Sequence, residues 1–274
     1  MSRMATSLMG ILNVTPDSFS DGGRYHDPAA AVARALEIQR DGADILDVGG
    51  ESTRPGSVRV PEAEELARVL PVLEALQGKL KIPVSIDTLH VAVAQQAVRL
   101  GAQYINHIVL EDEIAREMAL LARDSGAYLI LTHARGPLEH MHKLPPMSDA
   151  VGEVVAALAN FRNLAAKAGL PPDRLLLDPG IGFGKNADES YELLRNIDQI
   201  KALGCRVVIG ASRKRFLSSD PKADAAEDRD FATAATVVYA MERGCAVIRV
   251  HNVRAMSQVM KVARRLYPIA PVLD

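Results

Sequence analysis

The chain has 274 residues, of which 48% are hydrophobic and 24% charged, and its formal net charge is −2. These totals are typical of a globular protein with a large core, and they exclude the strongly basic surface that nucleic-acid binding requires. Two cysteines lack metal-ligand spacing, so we expect a reducing compartment. No targeting signal precedes Leu8, and no apolar run approaches the ~20 residues of a membrane span. We therefore expect a cytoplasmic protein with neither a nucleic-acid nor a membrane partner.

Short buried strands alternate with amphipathic helices along the chain. The first strand runs from Leu8 to Asn13, and the helix after it begins at Pro28, behind Asp27 as N-cap, and ends before Gly42. The other strands are predicted at 43–48, 84–87, 104–106, 128–133, 175–178, 206–210 and 247–251. The other helices are predicted at about 61–76, 90–101, 149–169, 189–204, 231–243 and 254–266, and one more helix ends at 125. The charged segment 218–230 is predicted to be a mobile loop.

Eight strands, each followed by a helix within about 250 residues, predict an α/β protein with a single (β/α)8 TIM barrel over residues 1–274. The main alternative is a doubly wound open sheet. Such a sheet usually carries a glycine-rich dinucleotide motif after its first strand, and this chain has none there. The pattern therefore favours the barrel.

The sixth strand shows how such a barrel presents chemistry. Three leucines, 175–177, fit a strand that is buried on both faces. Asp178 follows directly, and then come a proline, three glycines within five residues, and Lys185. Glycines let the backbone approach a ligand closely or turn sharply. A carboxylate at this point is held rigidly at the mouth of the barrel, with a cation nearby.

Other predicted strands also end in polar residues, and in a barrel these ends meet at one face. So many buried polar groups need a polar occupant, which indicates a site. Carboxylates and an amide suit a flat, donor-rich heterocycle, while an arginine and a histidine two residues apart suit an anion. We expect Asp47 to be an N-cap or a partner of Arg249, Asn13 to be a candidate ligand of Mg²⁺, and no zinc site. The strand-end residues are Asn13, Asp47, Asp87, Asn106, His133, Asp178, Ser212, Lys214, Arg249 and His251.

Six motifs, at 9–23, 47–56, 85–88, 178–185, 210–214 and 249–251, closely resemble dihydropteroate synthase. The resemblance extends from Met9 to the last helix. It implies a (β/α)8 barrel that joins 6-hydroxymethyl-7,8-dihydropterin diphosphate to p-aminobenzoate and releases pyrophosphate. It also implies Mg²⁺ as cofactor, a homodimer, and inhibition by sulfonamides, which mimic p-aminobenzoate.

The resemblance also implies roles, position by position. The pterin would be bound by Asp87, Asn106, Asp178 and Lys214. The diphosphate would be bound by Asn13, Thr53, Arg54, Arg249 and His251, with Asn13 also on the metal. The p-aminobenzoate pocket would contain Thr53, Pro55, Phe183 and Ser212, and a mobile loop would bring Asp17, Phe19 and Asp21 to the site.

Three positions depart from the family pattern. Where the family usually has Asp, Met and Asp, this chain has His107, Thr132 and Asn252. Two alternatives therefore stay open: a methyltetrahydrofolate–corrinoid methyltransferase, which needs no diphosphate site, and a catalytically silent pterin-binding paralogue.

Overall fold

A computed structural model describes residues 6–15, 28–51, 59–137, 140–218, 220 and 225–267. Eight parallel strands form a closed barrel in which each strand pairs with the next in sequence and the last pairs with the first. This confirms the predicted (β/α)8 barrel. The strands are β1 Ser7–Asn13, β2 Ile45–Gly49, β3 Val84–Asp87, β4 Tyr104–Val109, β5 Tyr128–His133, β6 Leu175–Asp178, β7 Arg206–Ile209 and β8 Val247–Val250.

Helices follow the strands and surround the barrel. Several begin at side-chain caps: Asp149 accepts a hydrogen bond from Gly152 N, and Asn186 and Glu189 form a capping box. The helices in the described part of the chain are α1 Pro28–Arg40, α2 Glu62–Leu76, α3 Val91–Arg99, α4 Asp112–Ser125, α5 Ala150–Lys167, α6 Ala187–Arg195, α7 Ile197–Lys201, α8 Asp230–Glu242 and α9 Val253–Leu266.

Side-chain alternation along the strands separates two cores. Leu175 and Leu177 pack with the main core beneath the helices, whereas Leu176 belongs to the core inside the barrel. Because successive side chains of a strand point to opposite faces, Asp178 shares the inward direction of Leu176. The three-leucine run is therefore buried on both faces, as predicted. The inner core consists of Met9, Ile45, Ile130, Leu176, Val208 and Val247.

The amino-terminal end of the barrel is closed by packed rings. Tyr104 and Tyr128 stack with their ring centroids 4.8 Å apart. The guanidinium groups of Arg174 and Arg206 lie 4.8 and 5.0 Å from the centroid of the Tyr128 ring. These side chains therefore fill the amino-terminal end of the barrel.

The structure corrects some predicted element boundaries. The helix expected at 189–204 is two helices, α6 and α7, which are separated at Asn196. β4 continues to Val109, so Asn106 lies within the strand rather than at its end. In the segment predicted as a mobile loop, residues 227–229 form a short 3-10 turn and Asp230 begins α8. Among the described residues, no helix is long and apolar enough to span a membrane.

Candidate active site

A cavity of about 710 Å³ opens at the carboxyl ends of the strands. Its size is that of a small-molecule pocket, and its wall mixes apolar side chains such as Ile11 and Ile108 with polar ones. Asp47 and His133 are not part of its lining. Most of the predicted site residues meet there: Asn13, Asp87, Asn106, Asp178, Phe183, Ser212, Lys214, Arg249 and His251.

Arg249 on β8 crosses the barrel to the acids of β2 and β3. Its Nε donates to Asp47 Oδ2 at 2.6 Å, and its Nη2 donates to Asp87 Oδ2 at 2.6 Å. Asn106 Nδ2 donates to the same Asp47 oxygen at 3.2 Å. Asp47 is 0% exposed, so its role is to anchor Arg249, which confirms one of the two roles expected for it.

These contacts change the ionisation of the cluster. Burial raises the pKa of Asp87 to about 7, although Arg249 opposes the shift. Burial lowers the pKa of Arg249, but Asp47 and Asp87 outweigh it, so the pKa lies above its usual value. Arg249 therefore stays charged beneath the cavity. Two of its nitrogens are held by acids, and no described residue accepts a hydrogen bond from its third, Nη1.

Asp178 and Lys214 form the opposite wall. Asp178 Oδ1 accepts a hydrogen bond from Gly180 N at 2.7 Å. Lys214 Nζ donates to Ile181 O and lies 4.1 Å from the centroid of the Phe183 ring. Burial raises the pKa of Asp178 against the opposing Lys214, and burial lowers the pKa of Lys214 to about 8. The turn after β6 thus brings a carboxylate, an aromatic ring and an ammonium together.

Lys185 lines the cavity, as expected for a cation near a ligand, but its ammonium is bonded within the protein. Its Nζ donates to Gly180 O and Phe183 O, both at 3.0 Å, and contacts His133 Nδ1 at 2.8 Å. Burial lowers the pKa of His133 to about 3, so its ring is neutral and accepts at Nδ1. The ammonium of Lys185 is therefore directed into the protein.

Ser212 and His251 join the ends of β7 and β8. The backbone N–H of His251 donates to Ser212 Oγ at 3.1 Å, and Ser212 Oγ lies 3.0 Å from His251 Nδ1. These two contacts hold the His251 ring at the wall of the cavity.

Asn13 fits the predicted magnesium role. Its half-buried side chain lines the cavity at the end of β1, and no described residue donates to its amide oxygen. An amide oxygen in this position suits Mg²⁺, which takes few protein ligands.

A second oxygen-rich cluster was not predicted from the sequence. Glu51, Glu65 and His90 each offer one atom within 4.8 Å of the others, a geometry that could hold a cation. However, Arg59 Nε already lies 3.0 Å from Glu51 Oε1. Burial raises the pKa of Glu65 to about 8, with Thr88 opposing the shift through a 2.8 Å hydrogen bond. A protonated Glu65 has little affinity for a metal.

The three departures from the family pattern have local partners. His107 is 2% exposed, its Nδ1 lies 3.1 Å from Thr88 O, and burial lowers its pKa to about 4. Thr132 lines the cavity in register with Asp178. Asn252 caps α9 through Ala255 N. None of the three departures falls on a residue that was predicted to bind a substrate or the metal.

Several predicted site residues lie outside the described part of the chain, so the geometry bears on none of them: Asp17, Phe19, Asp21, Thr53, Arg54 and Pro55.

The sequence matches the model of a family described as pterin binding enzyme over residues 9–251. Dihydropteroate synthase from Synechocystis sp. is 41% identical over 270 residues, which cover 96% of this chain and 90% of the relative. The class that the barrel and its cavity define is thus a pterin-binding enzyme.

The solved structures that resemble this chain are also dihydropteroate synthases. Xanthomonas albilineans dihydropteroate synthase with 4-aminobenzoic acid superposes with a TM-score of 0.88 at 36% identity, covering 98% of this chain and 96% of that one. A Yersinia pestis dihydropteroate synthase with a sulfonamide drug superposes with a TM-score of 0.87 at 33% identity, covering 97% of this chain and 96% of that one. The chain belongs to the dihydropteroate synthase family of folate biosynthesis, whose members are transferases.

Proposed function

We propose that the protein joins 6-hydroxymethyl-7,8-dihydropterin diphosphate to p-aminobenzoate and releases 7,8-dihydropteroate and pyrophosphate. One observation carries the proposal: the strand ends bring two kinds of groups to one cavity. The acceptors Asp87, Asn106 and Asp178 lie on β3, β4 and β6, whereas the anion-binding groups Arg249 and His251 lie on or just after β8, next to β1. A pterin with a diphosphate has the matching division between a donor-rich ring and an anionic tail.

The family resemblance assigns individual roles to these residues and to residues outside the described part of the chain. Asp87, Asn106, Asp178 and Lys214 bind the pterin ring. Phe183 and Ser212, with Thr53 and Pro55, border the arylamine pocket. Asn13, Thr53, Arg54, Arg249 and His251 meet the diphosphate, and Asp17, Phe19 and Asp21 belong to a loop that closes over the site.

The reaction begins with the loss of pyrophosphate. The bond between the pterin methylene carbon and oxygen breaks, and its electron pair leaves with pyrophosphate. Arg249 and His251 stabilise the charge that develops on the leaving group, while Asp87 and Asp178 stabilise the carbocation next to the ring. Mg²⁺, held through Asn13, would neutralise diphosphate charge when it is bound.

The arylamine then completes the exchange. Its nitrogen attacks the cation, a carbon–nitrogen bond forms, and the nitrogen loses a proton. The attacking amine is neutral, so the step requires no strong general base. Closure of the loop that carries Phe19 would keep water from the cation.

Pyrophosphate release with Mg²⁺, with and without p-aminobenzoate, tests the proposal. We expect release to depend on p-aminobenzoate, and Asp178→Asn and Lys214→Ala to abolish it because each removes a group that binds the ring. Lys79→Ala, in an exposed turn, is the control. Tight dihydropterin binding without turnover would instead support the silent paralogue, and transfer of a methyl group to a corrinoid would support the methyltransferase.

The sulfonamide-bound Yersinia pestis relative supports a further expectation. A sulfonamide should compete with p-aminobenzoate, so that its inhibition weakens as the p-aminobenzoate concentration rises. Unchanged turnover at saturating sulfonamide would contradict this arylamine pocket.

We also propose that the chain forms one domain, acts in the cytoplasm and assembles as a homodimer. The dimer and the compartment rest on the family resemblance, and the single domain rests on the run of eight consecutive βα units that close one barrel.

A further inference from the structure

We propose that Lys185 is a positioning residue of the arylamine subsite, because its ammonium ties the turn after β6 to the end of β5 and so fixes the ring of Phe183. The inference rests on the proposed function of the cavity. It adds a residue that acts through Phe183.

The ammonium of Lys185 is surrounded by acceptors. Lys185 is 9% exposed, and its Nζ donates to Gly180 O and Phe183 O at 3.0 Å, contacts His133 Nδ1 at 2.8 Å, and donates to His133 O at 3.4 Å. A protonated amine has three N–H groups, and three of these four acceptors lie within 3.0 Å. Two acceptors belong to the turn that carries Phe183, and the other two belong to His133 at the end of β5.

The turn after β6 packs directly against the end of β5, and this contact forms a tight seam. A Cβ on Gly180 would lie 1.7 Å from His133 O, and the φ of Gly180 is +65°. Phe183 O also accepts a hydrogen bond from Arg135 N at 3.4 Å. The backbones are therefore in direct contact, and Lys185 supplies the strongest polar link between them.

The seam affects the arylamine subsite through the ring of Phe183. The Phe183 ring lines the cavity and lies beneath Lys214 Nζ, which in turn donates to Ile181 O. Movement of the turn therefore shifts both the ring and the partner of Lys214. Arg249 and His251 lie on or just after β8, away from this seam, so the diphosphate side should be unaffected.

Titration separates this role from a merely structural one. Burial lowers the pKa of Lys185 to about 7. Loss of a proton leaves two N–H groups for the three nearest acceptors, so the link weakens as the pH rises. The groups that face Lys185 are Asp178 on β6, Glu189 on α6, His133 on β5, Arg135 in the loop after β5, and Lys214 in the loop after β7.

The test measures KM for p-aminobenzoate and for the dihydropterin diphosphate between pH 6 and pH 9. We expect Lys185→Met to raise the arylamine KM about tenfold at pH 6, the value of one lost hydrogen bond to a charged group. The ratio to the wild type should shrink as the pH rises from 6 to 9, because the wild type loses one N–H donor, but it should stay above one because the neutral amine keeps two donors. The KM for the diphosphate substrate should rise less than the arylamine KM, because its diphosphate is bound on β8, away from the turn.

Two further variants make the test specific. Lys185→Gln keeps two N–H donors without a titrating group, so it should raise the arylamine KM less than Lys185→Met, and it serves if the methionine variant fails to fold. Lys167→Met, on the exposed end of α5, is the control and should match the wild type.

The outcomes are distinct. A wild-type protein with no p-aminobenzoate-dependent turnover would overturn the proposed function and this inference with it. Normal wild-type turnover, with an arylamine KM that is unchanged in both variants or raised by one constant factor at every pH, would overturn the inference alone.

Discussion

Asp47 accepts two hydrogen bonds at one oxygen, from Arg249 and from Asn106, and is fully buried. Removal of the carboxylate leaves the half-buried guanidinium of Arg249 with Asp87 as its one acidic partner among the described residues. We expect Asp47→Ala to lower the free energy of unfolding by about 3 kcal/mol, measured by urea denaturation. Asp198→Ala, which removes an exposed ion pair with Arg243, should lower it by less than about 1 kcal/mol. Equal losses in the two variants would contradict an anchoring role for Asp47.

Glu65 links the pH to the stability of the fold. Burial raises its pKa to about 8 from an ordinary value of 4.5, so between these values the unfolded chain is ionised while the folded protein keeps the proton. The folded state then binds more protons, and stability falls as the pH rises through this window.

Glu65→Gln should remove that slope. Between pH 5 and pH 7.5 we expect the wild type to lose stability more steeply than the variant, by about 1.4 kcal/mol per pH unit, which corresponds to one proton. Urea unfolding at several pH values measures the difference. Glu74→Gln, an exposed residue of the same helix, should keep the wild-type slope. A parallel pair of profiles for wild type and Glu65→Gln would mean that Glu65 is ionised in the fold.

At the scale of elements, Asn252 joins the starts of α8 and α9. Its Oδ1 accepts from Ala255 N at 3.1 Å, and its Nδ2 donates to Asp230 Oδ2 at 2.7 Å. Asp230 also receives two hydrogen bonds from Arg213, whose φ is +58°, an unusual backbone conformation for a residue other than glycine. An amide at 252 therefore supports the loop that carries Lys214.

Restoring the usual family residue should harm this chain. Asn252→Asp keeps the cap but replaces the donor to Asp230 with a second carboxylate, so we expect a loss of about 2 kcal/mol in thermal unfolding. Asp149→Asn, which exchanges the same two residue types at the cap of α5, should change stability by less than about 0.5 kcal/mol. If Asn252→Asp leaves the stability unchanged, the hydrogen bonds from Arg213 are sufficient to hold Asp230.

The elements themselves could largely be predicted from sequence, since apolar runs, proline starts and glycine ends are local signals. The separation of α6 from α7 was missed, because the sequence around Asn196 continues the helical pattern. The partners of Lys185 were missed because they depend on how two loops pack, with His133 lying 52 positions away in sequence. The pairing of Arg249 with Asp47, 202 positions apart, could be anticipated only because a barrel brings all strand ends to one face.

At the scale of the whole molecule, the proposed homodimer needs a contact surface. α9 carries two exposed apolar side chains one helical turn apart, Val262 at 58% and Leu266 at 69% exposure. We expect sedimentation to give twice the 29.5 kDa mass of the chain, and the double variant Val262→Glu, Leu266→Glu to shift it towards the monomer. Lys261→Glu, the neighbouring exposed charge reversal, is the control. A wild-type monomer at micromolar concentration would contradict the dimer, and a dimeric double variant would place its contact elsewhere.

The pairing of β1 with β8 closes the barrel, and Arg264 Nη2 donates to Thr6 O at 2.9 Å across the same junction. During synthesis on a ribosome, β1 emerges before the other strands of the barrel, and β8 emerges after them. The nascent sheet therefore keeps two unpaired edges until β8 has emerged, and such edges are prone to pair with other chains. The barrel is thus most vulnerable before β8 leaves the ribosome, and a chaperone that covers strand edges would protect it most during that interval.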